Sequence, residues 1–551
     1  VIVQKLGPAS LLASLLLSAA CGASTPKAEP TTPQPTTTEV IVDAAPPAKE
    51  RPPASEKARD LSFPKVEHIT LENGLTVDVV SHKQLPIVSA QLVIQSGSAN
   101  DPTGLPGVAS IVADMLKEGT KKKTGAQFAE AVEFLGANLG SSAGQETLRV
   151  SLSALSEHFG AGLALLAEAA LTPKFDAKEL EKLKKRTLDD LKLKKDKPAW
   201  LARREFQKVL YGSHPYAQYD TNESVVKKLK QKDLQSYHSA YFAPNNAFLV
   251  VVGDVTPEQV KTEVDKLFGS WKKKAVAETA YAAPPTRSAR EIIVVDRPAS
   301  VQSQIIIGNL ALKRNDPGYI PLMVANQVLG GSAASRLFMD LREKRSLTYG
   351  AYSRIDETVD LGSFRASAAV RTQVTGEAIA GFFEHLDRIV KEPAPKPELE
   401  AAHRFLADSF PLQIETADRI AELLADLRVY GLPEGYWDTF RSAIKQVDPA
   451  AELKAAQANI HPESEVVVVV GRAAEIVPVL EKLGPVKVVD IEGAPVKAGE
   501  TPAAAPAAQA APKPAAPAAP AAPAAPAPAA AAAAPTQASS APSPAPTATT
   551  K

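Results

Sequence analysis

The stretch Gly107-Val108-Ala109-Ser110-Ile111-Val112-Ala113-Asp114-Met115-Leu116-Lys117-Glu118-Gly119-Thr120 sets apolar side chains at Val108, Ile111, Val112 and Met115. That spacing predicts a helix with one buried face. Ser110 and Asp114 stand one turn apart and form a polar stripe on it. Upstream, Pro86 to Ile94 reads as a strand, and Asn100-Asp101-Pro102-Thr103-Gly104 as the turn leading into the helix.

Outside this unit the ends differ from the middle. Lys and Arg number 62 and Asp and Glu 62 in 551 residues, so the formal net charge is zero. That balance argues against a nucleic-acid or anionic-membrane binder. Residues 1–21 carry Lys5, the apolar run Leu11 to Leu17 and Ser18-Ala19-Ala20-Cys21, the pattern of a secretory signal too short to span a bilayer. Cys21 is the only cysteine, which excludes an intramolecular disulfide. Its place at the cleavage point leads us to expect lipidation there, with plain cleavage after Ala20 as the alternative. Gly22 follows it instead of Asp, so the expected location is the periplasmic side of a bacterial envelope, as an outer-membrane lipoprotein. Residues 22–60 are rich in Pro and Thr and are expected to form a disordered tether. Residues 491–551 read as an Ala/Pro low-complexity tail.

Between the ends, two copies of one unit are expected, at 61–275 and 291–490, joined by a linker at 276–290. The first opens with Glu67 to Leu71, a turn at Glu72-Asn73-Gly74 and Leu75 to Val80; the second opens with Glu291 to Asp296, then Gln302 to Gly308. Each has Asn-Asp-Pro before an apolar helix, at Asn100 and Asn315. A Pro precedes a charged helix in each, at Pro173 and Pro397. Both close on an apolar strand ending in glycine, Phe248 to Gly253 and Val466 to Gly471. The period of about 215 residues is too long for a solenoid, so a duplicated α+β fold is expected.

At these motifs the chain resembles the insulinase/pitrilysin-type metallopeptidase family. The resemblance rests on Leu71-Glu72-Asn73-Gly74-Leu75, on the Gly107–Thr120 frame, and on His214-Pro215-Tyr216. It continues through Tyr241-Phe242-Ala243-Pro244-Asn245-Asn246-Ala247 and the run from Leu329-Gly330-Gly331 to Leu347-Thr348-Tyr349. The resemblance implies two α/β-sandwich halves of the mitochondrial processing peptidase-like type, and paired subunits enclosing a chamber for short or unfolded peptides. It also implies an H-x-x-E-H motif in the helix. This chain has Ser110, Ala113 and Asp114 there. A catalytic zinc needs three good ligands and a base for its water. Ser110 is a poor donor, Ala113 accepts no proton, and Asp114 alone holds no zinc. The family's third ligand, a distant Glu, matches the region of Asp189 and Asp190, where a solvated charged helix is the simpler reading. No two of the eight histidines stand three or four residues apart.

The resemblance further implies that Arg345 and Tyr349 bind the substrate carbonyl and stabilise the oxyanion of a reaction on a facing subunit. Gly330 and Gly331 would let backbone approach a peptide, and the stretch around Asn138 would offer a sheet edge for strand addition. The expected protein is a non-catalytic, zinc-free subunit. Its partner would be a zinc-bearing sister, with no cofactor on this chain. One alternative is an autonomous metalloendopeptidase with an atypical metal site. Another is a non-enzymatic periplasmic peptide-binding or scaffold lipoprotein.

Overall fold

Twelve strands, labelled here in chain order, build two six-stranded sheets of matching order. The computed structural model describes residues 62–496; the signal-like segment, Cys21, the tether 22–60 and the tail from 497 lie outside them. The first sheet runs β1-β2-β6-β3-β5-β4, from β1 (Glu67–Thr70), β2 (Thr76–Ser81), β3 (Ile87–Ile94), β4 (Asn138–Ala143), β5 (Leu148–Leu155) and β6 (Ala247–Gly253). The second runs β12-β7-β11-β8-β10-β9, from β7 (Glu291–Asp296), β8 (Gln302–Ala311), β9 (Thr348–Ile355), β10 (Gly362–Arg371), β11 (Val466–Gly471) and β12 (Val486–Val489).

The glycine-ended strands β6 and β11 hold the centre of their sheets. β6 inserts between β2 and β3, and β11 between β7 and β8, each parallel to the first of its neighbours and antiparallel to the second. Both are buried along their whole length, which explains unbroken apolar runs in place of alternation. The duplication differs at one edge from the sequence expectation. The hairpin β1–β2 has no counterpart at the start of the second half; the place beside β7 is filled by β12, which returns from the chain's end and pairs in parallel. Residues 491–496, expected in the tail, fold back as well. Asp490 N donates to Ala494 O and Val496 N to Val488 O. Lys195 also binds Glu492 at 2.7 Å.

Each sheet packs its own helices on one face and borrows a helix for the other. Val80, Val93, Phe248, Val250 and Val252 of the first sheet bury against Ile420, Ala421, Leu424 and Ala425 of the second-half helix Ala417–Tyr430. Reciprocally, Ile293, Val295, Val466, Val468 and Val470 bury against Leu201, Phe206 and Leu210 of the first-half helix Pro198–Tyr211. A sheet with two apolar faces must cover both, and each half supplies what the other lacks. The exchange carries polar links too. Arg428 makes a two-pronged ion pair with Asp78 on β2, and His68 Nδ1 bonds Asp78 at 2.7 Å.

Candidate functional site

The predicted helix forms over Val108–Met115, with Val108, Ile111, Val112 and Met115 buried. Asp101 sets its start. The carboxylate accepts the backbone N–H of Gly107 at 2.5 Å and of Ala109 at 2.8 Å, satisfying donors a helix leaves open at that end. Gly107 has φ 92, and a Cβ there would strike Thr221, so glycine is required. Burial pushes the Asp101 carboxyl up to about 7, against the pull of the two N–H groups.

Ser110 and Asp114 both line a cavity of about 400 Å³ beside this helix, together with Asp190 and Lys194 of the helix Ala177–Lys195. Of the two acids considered from sequence, Asp190 is thus the one that shares a cavity with Asp114. Asp189 pairs with Lys192 at 3.3 Å instead. Burial raises the Asp114 carboxyl above its ordinary range. Lys194 is held by Asp220 at 2.7 Å, and Asp220 also accepts Trp200 Nε1 at 3.2 Å. Ala113 is buried, and its carbonyl accepts Ser141 Oγ of β4 at 2.6 Å, which ties the helix to the sheet edge. The donor set does not fit zinc: it lacks imidazole, and a serine hydroxyl stands in its place. Among the described residues no group of three or more His, Cys, Asp or Glu side chains is placed to hold a metal ion.

The second half carries the Arg/Tyr segment on a wide π-helical turn, Met339–Lys344, leading into edge strand β9. Such turns are frequent at functional sites. Tyr349 is 88% exposed on β9. Arg345 is placed otherwise than a free oxyanion donor would be. Its guanidinium is held by Asp340 at 2.9 Å and by Glu384, and Asp340 also bonds His385 Nε2 at 3.0 Å. The cation that sequence reasoning passed over is Arg342. It lies 4.7 Å from the Phe338 ring centroid and 3.3 Å from the exposed Glu343 carboxylate, with nearly half its side chain exposed. Phe338 in turn packs 5.5 Å from the ring of Tyr352, on β9. The signal that could have found it is the choice of Arg342 over Arg345 within Leu341-Arg342-Glu343-Lys344-Arg345, which differ in available charge partners and not in residue type.

Gly330 and Gly331 sit where the chain packs closely against itself. A Cβ on Gly330 would meet Ser353 N and Oγ at 2.4 Å, and one on Gly331 would meet Gln327 Oε1 at 2.4 Å. The space a side chain would need at both positions is filled by the chain itself. Asn138 begins β4, the free edge of the first sheet, and is exposed. His214-Pro215-Tyr216, one of the segments that carry the resemblance, is a joint between the halves. His214 Nδ1 accepts Tyr216 N at 3.1 Å, so Nε2 donates to Asp360 Oδ2 at 2.9 Å. Tyr216 OH donates to Glu146, which also accepts Val359 N at 2.5 Å.

Residues 77–218 match the family model described as insulinase (peptidase family M16), and residues 228–406 the model described as the peptidase M16 inactive domain. A Bacillus subtilis protein named uncharacterized zinc protease YmxG is 25% identical over 358 residues, 64% of this chain and 85% of that protein. The Helicobacter pylori non-peptidase homolog YmxG is 25% identical over 372 residues, 66% and 84% of the two chains. Among solved structures, a peptidase M16 inactive domain from Pseudomonas fluorescens superposes with TM-score 0.70 at 27% identity, covering 74% of this chain and 98% of its own. A protease from Helicobacter pylori gives TM-score 0.70 at 22% identity, over 74% and 99%, which bears on the fold alone.

Proposed function

The chain belongs to the insulinase family of peptidases, family M16, and from that premise we propose that it is a zinc-free subunit that pairs with a zinc-bearing sister. In this reading it forms half of a peptide chamber and contributes substrate binding and oxyanion stabilisation to hydrolysis there. The observation that carries it is the Val108–Met115 helix, which bears Ser110, Ala113 and Asp114 at the positions where the family resemblance implies metal ligands and a base. No hydrolytic step runs through a metal on this chain.

What the chain offers is an exposed phenol and a cation beside it in sequence. A Tyr O–H and a guanidinium can donate to an oxygen as negative charge develops on it. Arg345 sits between two carboxylates and serves to hold the turn; Arg342 is the freer charge. We assign the donor roles to Tyr349 and Arg342 and the positioning role to Arg345. The free edge of β4, starting at Asn138, is suited to adding a peptide as an extra strand. The pattern ending in Cys21 supports lipid anchoring in the cell envelope, on the periplasmic side of the outer membrane.

The test is co-expression with a zinc-bearing family member, co-purification, and an assay of peptide cleavage. The pair is expected to cleave and Tyr349→Ala to slow cleavage roughly a hundredfold, the scale of one lost oxyanion donor. Full activity from the sister alone, with no gain on adding this chain, would refute the proposal.

A further inference from the structure

The cavity beside the Val108–Met115 helix holds more acid than its own partners engage. Six charged side chains line it: Asp101, Asp114, Asp190, Asp220, Lys194 and Arg203. Asp101 is committed to the helix start. Asp220 takes Lys194, Trp200 Nε1 and its neighbour Thr221 N at 2.8 Å. Arg203 pairs with Asp356 at 2.7 Å. Asp114 and Asp190 remain, and among the described residues neither makes a hydrogen bond or ion pair.

A second, separate observation points the same way. Gln207 lines this cavity and is 4% exposed, yet its Oε1 has no hydrogen-bond partner among the described residues. Arg203, one turn earlier on the same helix, has its Nη1 buried and likewise unpartnered. Buried polar atoms in native proteins are nearly always paired, so these two mark a site for something that brings both a donor and an acceptor. Free carboxylates add a demand for positive charge. An ammonium or guanidinium supplies several N–H donors, and a peptide group attached to it supplies the carbonyl acceptor. Ala143 and Gly144, where edge strand β4 ends, line the same cavity, so a peptide added along that edge would bring a side chain to it.

We propose that this cavity is a pocket for a basic side chain, arginine or lysine, of a bound peptide. Asp114 and Asp190 face its charge and Gln207 Oε1 accepts one of its N–H groups. The inference rests on the peptide-binding reading above and names the residue class selected. The helix that has no metal ligands would thus still bind a cation, one carried in by the peptide.

The experiment is calorimetric titration of the full chain with acetyl-Gly-Gly-Arg-Gly-Gly-amide, and with the same peptide bearing citrulline, which keeps the shape and removes the charge. The arginine peptide is expected to bind at least tenfold tighter. In Asp114→Asn/Asp190→Asn the difference should vanish, and in Asp190→Asn alone, at an exposed position with no hydrogen bond or ion pair among the described residues, it should shrink several-fold with Tm unchanged. Equal affinity for the two peptides, no binding of either, or a preference that survives in the double variant would overturn the pocket. Pairing with a zinc-bearing subunit is read by cleavage, so a chain that supports cleavage but ignores peptide charge refutes this inference and leaves the pairing reading standing.

Discussion

Glu465 precedes central strand β11 and is fully buried, with neither carboxylate oxygen hydrogen-bonded among the described residues. Burial pushes its carboxyl up to about 8, with Arg290 opposing. The folded chain therefore keeps a proton that the unfolded chain releases above about pH 4.5. Within that window the native state binds one more proton, so stability falls as pH rises, by about 1.4 kcal/mol per pH unit. From pH 4.5 to 8 the loss sums to roughly 4 kcal/mol, and it levels off on either side. Glu465→Gln keeps the shape and abolishes the ionisation. Urea unfolding of both proteins from pH 4 to 9 should give stability curves that coincide at the acid end and diverge towards pH 8, with the glutamine variant more stable there. Parallel curves, or divergence towards acid, would refute the assignment of a neutral buried carboxyl.

Three further outcomes follow from the geometry. Phe206→Ala empties a fully buried site where one half's helix meets the other's sheet, and should cost about 3–5 kcal/mol in denaturant unfolding. Both halves are expected to weaken in one transition; a selective loss from one half would contradict the shared core. Arg428→Ala leaves Asp78, which is 3% exposed, with His68 as its remaining side-chain partner, and should lower stability by about 1.5–3 kcal/mol; an unchanged Tm would mean the pair carries nothing. In the paired cleavage assay, Arg342→Ala should slow turnover without moving Tm, whereas Arg345→Ala should lower Tm because Asp340 and Glu384 lose their shared cation. The reverse pattern would return the donor role to Arg345.

The strands were the legible part. Phe248 to Gly253 and Val466 to Gly471 are apolar without a break, and only a strand buried on both faces requires that. Ser110, Ala113 and Asp114 could be weighed as metal ligands from sequence because chemistry at a metal depends on residue type. The partner of the Pro198–Tyr211 helix was not. Leu201, Phe206 and Leu210 announce a buried face, but periodicity says nothing about which sheet receives it. Arg345 and Arg342 are alike in sequence, and the fold separates them by giving Arg345 both Asp340 and Glu384, 39 residues on, while Arg342 has its chain neighbour Glu343. Gly330 and Gly331 have packing neighbours that were hidden for a related reason. A glycine records that something comes close, and Ser353 and Gln327 proved to be what does.

The exchanged helices have a bearing on descent. A chain of one half alone would leave one apolar side of its sheet bare, and a second copy lending its helix would close it by two-fold symmetry. Fusing two such copies end to end removes the need for encounter in solution, and it also frees each from remaining identical to the other. Once the symmetry was inexact, one copy could discard reactive side chains while its sibling kept the shape that both rely on.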